Sequence, residues 1–307
     1  MNVKEFAISF AGFFCVACLV FICFILWKTY EQSKMTYEQN KVIKRQNDDL
    51  WRQGRQTQIK LSLKDDIFRN GDVKFYVPNY PVDWIQADIV NRQSFSEIDL
   101  LKQVDELLPN NSVILDIGAN VGNHTLYWLL KSPKKAKHVY SFEVIDETYN
   151  ILKKNVEINN LKNKVTLYNF GLSNTNSSAK IFGESSSLMT CCAVMEKGDG
   201  GFQFKRLDDV GIQEKVDFVK IDVEGHEIPV IEGAKKLLSK YKPIIWVEVW
   251  TDESYKKHKH MEKSDYKHNE TFNKLMDSIG YVKVKKMTHR DYIYMHKSKI
   301  KKGTTAN

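Results

Sequence analysis

The 307-residue sequence predicts an α/β fold with a parallel sheet covered on both faces, preceded by an N-terminal transmembrane helix. Two observations predict this class. Short apolar runs typical of buried strands alternate with stretches in which apolar residues have helical spacing, and strands that alternate with helices form parallel sheets. Separately, residues 6–27 form one apolar segment without a charged residue.

The composition is that of an ordinary globular protein. Hydrophobic residues make up 42% and charged residues 27% of the chain, which excludes wholesale disorder. The formal net charge is +8, and the excess of Lys and Arg lies in two flanks, residues 28–64 and 283–302, around a mildly acidic middle. Such flanks suit an anionic membrane surface or an acidic partner, and solvated Lys-rich ends are the alternative.

The apolar segment 6–27 predicts a membrane anchor. Its 22 residues would form about 33 Å of helix, enough to cross a hydrocarbon core of about 30 Å. No small-residue cleavage site follows it, so we expect an uncleaved anchor rather than a signal peptide. More basic residues follow the segment than precede it, which predicts a catalytic domain on the cytosolic side. We therefore expect a single-pass membrane protein that contacts the lipid bilayer through residues 6–27.

The remaining boundaries follow from changes in composition. Residues 1–5 form a short N-terminal tail, residues 28–60 a polar stalk, residues 61–296 the main domain and residues 297–307 a basic flexible tail. Near the start of the main domain, a run of alternating residues turns at Asn70-Gly71 and predicts a hairpin. A helix is expected over 96–108, capped by Ser94 or Ser96.

Five apolar runs predict the strands of the sheet, and the stretches between them predict its helices. The strands are expected at 113–115, 139–142, 165–168, 216–221 and 244–247, and helices at 124–130, 147–159 and 227–238. Ligands of such sheets bind beyond the carboxyl ends of the strands, near the switch in strand order. The residues that follow each strand are therefore the candidates for function.

The loop after the first of these strands indicates a nucleotide-like cofactor. It has the form D-x-G-x-N-x-G, from Asp116 to Gly122, and leads into a helix. Gly118 and Gly122 allow a tight turn and a close approach of the backbone to a ligand. The second strand ends at Glu143, where a carboxylate can accept hydrogen bonds from ribose hydroxyls. An ordinary tight turn with a surface glutamate is the alternative.

The residues of the loop favour S-adenosyl-L-methionine over a dinucleotide. A dinucleotide fold usually carries G-x-G-x-x-G, whose backbone faces a pyrophosphate. Here Asn120 replaces the middle glycine and Asp116 precedes the glycines. A carboxylate at that position suits a cationic amino-acid group better than a pyrophosphate.

Four motifs together carry a resemblance to a known family: the loop 116–122, Phe142-Glu143, residues 206–209 and, most specifically, the string Lys-Ile-Asp-Val-Glu-Gly-His-Glu at 220–227. With these motifs the chain resembles the FkbM family of S-adenosylmethionine-dependent methyltransferases. Segments 169–181, 280–281 and 291–294 are also similar, so the resemblance covers a core of about 95–296. The chain departs from the family at Val144, where proline is usual, and in a long Lys- and His-rich stretch, 256–268.

The resemblance implies a Rossmann-like, seven-stranded methyltransferase sheet with one antiparallel strand, and methyl transfer to oxygen on sugar or natural-product hydroxyls. It also implies that the loop holds the methionine part of the cofactor, Glu143 the ribose, and Asn169 the border of the adenine. The cofactor-binding set is therefore Asp116, Gly118, Ala119, Asn120, Gly122, Glu143 and Asn169.

Catalysis is expected at the acidic residues after the fourth strand. A hydroxyl group is a poor nucleophile, so methyl transfer gains from a base within about 3 Å of its proton. Asp222 is the first candidate for this role, and His226 and Glu224 follow it closely in the chain. The alternative is that these acids complement a helix dipole. We expect no metal, although Asp222 with Glu224 or Glu248 could hold a divalent ion.

The sequence therefore predicts a membrane-anchored methyltransferase that acts on a small-molecule or glycan acceptor. Two other functions stay open: a nucleic-acid methyltransferase, suggested by the basic flanks, and a non-catalytic membrane tether. Nucleic acid is not expected as a partner, because no basic motif is interleaved with aromatic residues. His258, His260 and His268 belong either to a lid over the acceptor, to a metal site or to a solvated loop. The sequence carries no signal for the oligomeric state.

Overall fold

A computed structural model describes residues 3–182, 194–197, 201–258 and 267–300. Two compact units meet in the chain at Ser62, one from Met1 to Ser62 and one from Leu63 to Asn307. The α-helices are α1 (Val3–Ser62), α2 (Trp84–Arg92), α3 (Ile98–Asp105), α4 (Asn123–Leu130), α5 (Asp146–Ile158), α6 (Glu227–Glu232), α7 (Lys235–Tyr241), α8 (Asp252–His258) and α9 (His268–Ser278). The strands are β1 (Ile67–Asn70), β2 (Val73–Tyr76), β3 (Val113–Ile117), β4 (His138–Phe142), β5 (Val165–Tyr168), β6 (Gly171–Leu172), β7 (Ser177–Phe182), β8 (Val194–Lys197), β9 (Phe202–Lys205), β10 (Phe218–Ile221), β11 (Ile244–Glu248), β12 (Tyr281–Lys286) and β13 (Asp291–His296).

The first unit is the long helix α1, which runs through the predicted anchor and the predicted stalk. Its side chains are described from Phe24 onward, apart from residues 25 and 47, and there it carries charged groups such as Lys28 and Glu31 among exposed apolar ones. Across the described residues, no helix combines the length and the apolar character needed to cross a membrane. The prediction of a transmembrane anchor at 6–27 is therefore wrong. The predictions that depend on it, which are the single-pass membrane localisation, the cytosolic orientation and the bilayer contact, are wrong with it.

The second unit contains the predicted sheet. Within the described residues its seven strands have the order β12-β13-β11-β10-β3-β4-β5. The pairs from β11 to β5 are parallel, and β13 runs antiparallel to both of its neighbours. The prediction of a Rossmann-like, seven-stranded sheet with one antiparallel strand is confirmed.

Helices cover both faces of this sheet and pack against the side chains that alternate along its strands. On one face, Leu115, Val219 and Ile245 belong to a buried cluster that includes residues of α6, α7 and α9. On the opposite face, Trp128 of α4 packs edge-on against Phe218 of β10, with ring centroids 5.8 Å apart. Burial on both faces explains why these strands appear in the sequence as continuous apolar runs rather than alternating ones.

The single helix expected over 227–238 is two helices. The break lies at Gly233, whose carbonyl accepts a hydrogen bond from the amide of Asp208. The carboxylate of Asp208 accepts hydrogen bonds from the amides of Lys236 and Leu237 and so caps α7. A Cβ atom at Gly233 would lie 2.0 Å from the carbonyl oxygen of Ser173, so the break also lets two backbone segments touch.

The elements before the sheet follow the sequence in part. The hairpin of β1 and β2 pairs Asn70 with Val73, as its turn residues predict. Helix α3 begins at Ile98 with Glu97 as its N-cap residue, not Ser94 or Ser96. The hydroxyl of Ser96 instead donates to Asp88. A further sheet, β6-β9-β7-β8, follows β5, and the sequence did not predict it as a sheet.

Candidate active site

The predicted site residues lie at the switch in strand order. Strand β3 has β4 on one side and β10 on the other, so the chain after β3 and the chain after β10 emerge side by side. The amide of Asp222 donates to the carbonyl of Ile117 at 2.9 Å, which extends the pairing of the two strands into the site. This edge is where open α/β sheets bind their ligands.

The glycine loop after β3 is held by its own backbone. The amides of Gly118 and Ala119 both donate to the carbonyl oxygen of Phe142, at 3.0 and 2.9 Å. Gly118 has φ +81°, and a Cβ atom there would lie 1.8 Å from the carbonyl oxygen of Asp222. Gly122 has φ +89° and forms the N-cap of α4. Conformation disfavours a side chain at both positions, and at Gly118 the backbone of Asp222 also leaves no space for one.

Glu143 lies beneath this loop as a buried carboxylate. Its Oε2 accepts a hydrogen bond from the amide of Asn120 at 3.0 Å, and its Oε1 accepts one from the amide of Ile145 at 2.8 Å. Burial raises the pKa of Glu143 to about 7, although these backbone donors oppose the rise. Each carboxylate oxygen has two lone pairs, so both oxygens keep the capacity to accept a hydrogen bond from a ligand.

The departure from the family at Val144 bears on this carboxylate. Proline has no amide hydrogen, whereas the amide of Val144 is among the backbone donors that lower the pKa of Glu143. This chain therefore surrounds Glu143 with one more donor than a proline at that position would allow.

Asp116 is deeper than its sequence position suggested. It is wholly buried in β3, and its Oδ2 accepts a hydrogen bond from the hydroxyl of Thr125 at 2.6 Å. Burial raises its pKa. Its Oδ1 is buried without a hydrogen-bond partner in the described structure. One acceptor atom below the loop is therefore available to a donor.

The remaining cofactor candidates lie around Glu143. The side chain of Asn169 donates to the carbonyl of Glu143 at 3.2 Å, which places it just beyond β5. Asn120 has φ +50°, and its side-chain oxygen accepts a hydrogen bond from the amide of Val121 at 2.7 Å. The loop, Glu143 and Asn169 are thus joined by hydrogen bonds, and Asp116 is buried in the strand that leads into the loop.

Asp222, Glu224 and Glu248 form a cluster of carboxyl groups at the end of β10 and β11. The side chain of Asp222 is 25% exposed. The Oε2 of Glu224 accepts a hydrogen bond from the indole of Trp250 at 3.1 Å. Burial, and after it the charge of Asp222, raises the pKa of Glu224 and of Glu248. The structure thus brings two of the predicted residues, Asp222 and Glu224, together in this cluster.

His226, in contrast, is directed toward the four-stranded sheet. Its Nε2 lies 3.1 Å from the hydroxyl of Ser173, and its ring meets Phe204 edge-on. The predicted catalytic trio is therefore split, because the chain turns through left-handed conformations at Glu224 and Gly225 before it reaches His226.

Sequence reasoning missed the groups that surround the carboxylates. Glu97, the N-cap residue of α3, pairs with His124 at 3.1 Å. Burial alone would raise the pKa of Glu97, but His124, Lys220 and Arg290 lower it to about 2. Arg290 also pairs with Glu248 at 3.0 Å. His124 was recoverable from its place directly after the loop, whereas nothing in the sequence pattern indicated Glu97.

Among the described residues of the Lys- and His-rich stretch, His268 contacts the core. His268 is buried, its Nε2 lies 2.8 Å from Oε2 of Glu227, and its ring stacks on Tyr255. The solvated-loop alternative does not hold for His268, while His260 and the side chain of His258 lie outside the described residues. In the part of the chain that is described, no three histidine, cysteine or carboxylate groups are arranged to hold a metal ion.

Comparison with known sequences gives a family. The sequence model of the methyltransferase FkbM domain matches residues 116–283, more than half of the chain, and confirms the resemblance predicted from the motifs. The methyltransferase sdnD of Sordaria araneosa is 27% identical over 209 residues, which cover 56% of this chain and 78% of that protein. The hexuronic acid methyltransferase AglP of Haloferax volcanii is 25% identical over 186 residues, which cover 58% of this chain and 74% of that protein.

Comparison with solved structures finds the methyltransferase FkbM from Methylobacillus flagellatus. The TM-score is 0.41 and the sequence identity 16%, over 62% of this chain and 44% of that one. The likeness therefore spans less than half of the solved chain.

Proposed function

Because the chain belongs to the FkbM family of methyltransferases, we propose that it transfers a methyl group from S-adenosyl-L-methionine to a hydroxyl oxygen of a sugar, glycan or similar small molecule. The observation that carries the proposal is the contact between the glycine loop and the end of β10. This contact holds the backbone of Asp222, whose carboxylate is partly exposed, against the loop that would bind the cofactor.

The residues around the loop fit this cofactor. The carboxylate of Glu143 keeps lone pairs for two ribose hydroxyls, and the unpaired Oδ1 of Asp116 offers an acceptor for an ammonium group. Gly118 and Gly122 carry no side chain, which would let the cofactor approach the backbone at these two positions. Asn169 would border the adenine. When bound, S-adenosyl-L-methionine supplies an electrophilic methyl group on a sulfonium, whose sulfur leaves as a neutral thioether.

Asp222 would serve the acceptor. Its carboxylate would accept the hydrogen bond of the acceptor hydroxyl and would take the hydroxyl proton as the methyl group passes to the oxygen. Holding the oxygen in line with the methyl group supplies a large part of the rate in such transfers. Glu224 would form an additional contact with the methyl acceptor. His226 contacts Ser173 instead and is the weaker candidate for a catalytic role.

The class of acceptor is proposed from similarity. A relative at 25% identity is named a hexuronic acid methyltransferase, and its match covers 74% of that protein. A uronic acid carries several hydroxyl groups, which can donate hydrogen bonds to the partly exposed carboxylate of Asp222. It also carries a carboxylate, which Arg290 at the edge of the carboxyl cluster could face.

The proposal is tested by formation of S-adenosylhomocysteine. The full chain is incubated with S-adenosylmethionine and one candidate acceptor at a time, in parallel reactions that contain glucuronic acid, glucose or a short RNA. We expect turnover with a sugar, and we expect Asp222→Asn to lower kcat by about 100-fold or more while cofactor affinity stays nearly unchanged. Asp99→Asn, an exposed aspartate of α3, is the control. Turnover with RNA and with neither sugar would show that the acceptor is a nucleic acid. If Asp222→Asn lowered kcat and cofactor affinity equally, Asp222 would be a binding residue.

A further inference from the structure

We propose that Lys220 is a positioning residue for methyl transfer: its buried ammonium group fixes the carboxylate of Asp222 in the place from which it serves the acceptor. The inference rests on the proposed function of Asp222 and adds a residue that acts through it.

The strand geometry puts the two side chains together. Lys220 and Asp222 are two residues apart at the end of β10, so their side chains leave the same face of the sheet. The Nζ of Lys220 lies 3.2 Å from Oδ2 of Asp222 and 4.4 Å from the ring centroid of Trp246. Lys220 is 1% exposed, between Asp116 of β3 and Trp246 of β11 in the sheet register.

An ammonium group in the centre of a sheet is costly unless charges surround it, because a buried unpaired charge loses its hydration. Burial lowers the pKa of Lys220, but carboxylates from four elements outweigh burial and raise it above its ordinary value. These are Asp222 after β10, Asp291 at the start of β13, Glu97 at the N-cap of α3 and Glu248 at the end of β11. Lys220 is therefore a permanent cation.

Three of these four carboxylates have other partners that fix them. Asp291 accepts hydrogen bonds from the indole of Trp246 and the hydroxyl of Thr288, Glu97 pairs with His124, and Glu248 pairs with Arg290. Asp222 is the carboxylate that Lys220 contacts at ion-pair distance. The arrangement therefore directs the cation to Asp222, whose side chain is 25% exposed.

The surroundings explain why Asp222 needs such a partner. Glu224, Glu248 and Asp116 all face Asp222 from the adjoining loop and strands, and the charge of Asp222 raises the pKa of each of them. Carboxyl groups that crowd one another repel when charged and compete for the same donors. Lys220 is the cation that lets Asp222 stay oriented among them.

The test is a double-mutant cycle with Lys220→Met and Asp222→Asn in the full chain. Turnover is measured as S-adenosylhomocysteine formation with glucuronic acid, and cofactor affinity by calorimetry. Loss of a hydrogen bond to a charged group is worth about 10- to 100-fold. We expect Lys220→Met to lower kcat by that factor in the wild-type background and by less than about threefold when Asp222 is already Asn. Cofactor affinity should change little in both.

Lys215→Met is the matched control, because Lys215 pairs with Asp217 at the same spacing at 2.8 Å but is exposed. It should leave turnover unchanged. Urea unfolding of the four cycle members, which needs neither cofactor nor acceptor, tests the contact by itself. We expect Lys220→Met to lower the unfolding midpoint less in the Asp222→Asn background than in the wild type.

An equal loss of kcat from Lys220→Met in both backgrounds would overturn the inference, because Lys220 would then act independently of Asp222. Additive unfolding midpoints would overturn it as well. A wild-type chain that turns over no acceptor would instead contradict the proposed function, and the unfolding cycle separates that result from a failure of the Lys220–Asp222 contact.

Discussion

The Cα atom of Gly118 packs directly against the carbonyl group of Asp222: a Cβ atom on residue 118 would lie 1.8 Å from that oxygen. The contact joins the loop after β3 to the end of β10 through backbone atoms alone. It sets the distance between the loop proposed to bind the cofactor and Asp222, which is proposed to take the proton of the acceptor hydroxyl. The two motifs are about 100 residues apart in the sequence, and this approach is what makes them one site.

The first prediction concerns this contact. Gly118→Ala should lower the free energy of unfolding by more than about 3 kcal/mol, because the added methyl group meets a backbone oxygen and φ is +81°. Gly71→Ala is the control: its φ is +61°, and nothing lies within 4 Å of the added Cβ atom. The control should cost about 1 kcal/mol. Urea unfolding of both variants gives the comparison, and equal stability of the two would contradict the close packing.

The second prediction concerns the pH dependence of cofactor binding. Burial raises the pKa of Glu143 to about 7, and ribose hydroxyls donate to the ionised form. Affinity for S-adenosylmethionine should therefore be highest above pH 7 and fall by up to about tenfold per pH unit below it. Calorimetry of Glu143→Gln should show weaker binding at pH 8 and no such dependence. Glu147→Gln, an exposed glutamate, should keep the wild-type profile.

Without cofactor, the free energy of unfolding should change with pH in the opposite direction, so that it falls as the pH rises. An acid whose pKa is raised on folding stabilises the fold below its unfolded value, 4.5, and loses that contribution as the pH rises through about 7. The wild-type chain should lose on the order of 3 kcal/mol relative to Glu143→Gln between pH 4.5 and pH 8. Parallel pH curves for the two proteins would show that Glu143 is not a buried acid.

The third prediction concerns the buried pair of Glu227 and His268. His268→Phe keeps a ring to stack on Tyr255 but leaves the carboxylate of Glu227 without its partner at 2.8 Å. Breaking a buried pair costs about 3–5 kcal/mol. The control is Lys274→Ala, which removes an exposed pair with Glu270 at 2.7 Å and should cost about 0.5 kcal/mol or less. If His268→Phe lowered the stability no more than Lys274→Ala does, the structural role of the Glu227–His268 pair would be refuted.

The sheet and the cofactor loop were predictable from the sequence for physical reasons. Parallel strands buried on both faces need continuous apolar runs, so the runs at 113–115, 139–142 and 244–247 indicated β3, β4 and β11. The turn after β3 needs glycine at 118 and 122, and such requirements are visible in a single sequence. The number of strands and the single antiparallel strand were expected from the family resemblance.

The rest depends on contacts between distant segments. The break at Gly233 follows from the approach of Ser173 and from capping by Asp208, neither of which has helical spacing. Glu97 reaches the carboxyl cluster from a helix that precedes the sheet. The anchor prediction was wrong: no helix of the described residues is long and apolar enough to cross a membrane, and the helix that contains residues 6–27 continues to Ser62 through charged residues.

The most direct test of the account is calorimetric titration of the full chain with S-adenosylmethionine, and separately with NAD, at pH 8. We predict saturable binding of S-adenosylmethionine at one site, weakened in Glu143→Gln, and no binding of NAD. Binding of NAD alone, or of neither ligand, would contradict the assignment of the loop, Glu143 and Asn169 to this cofactor.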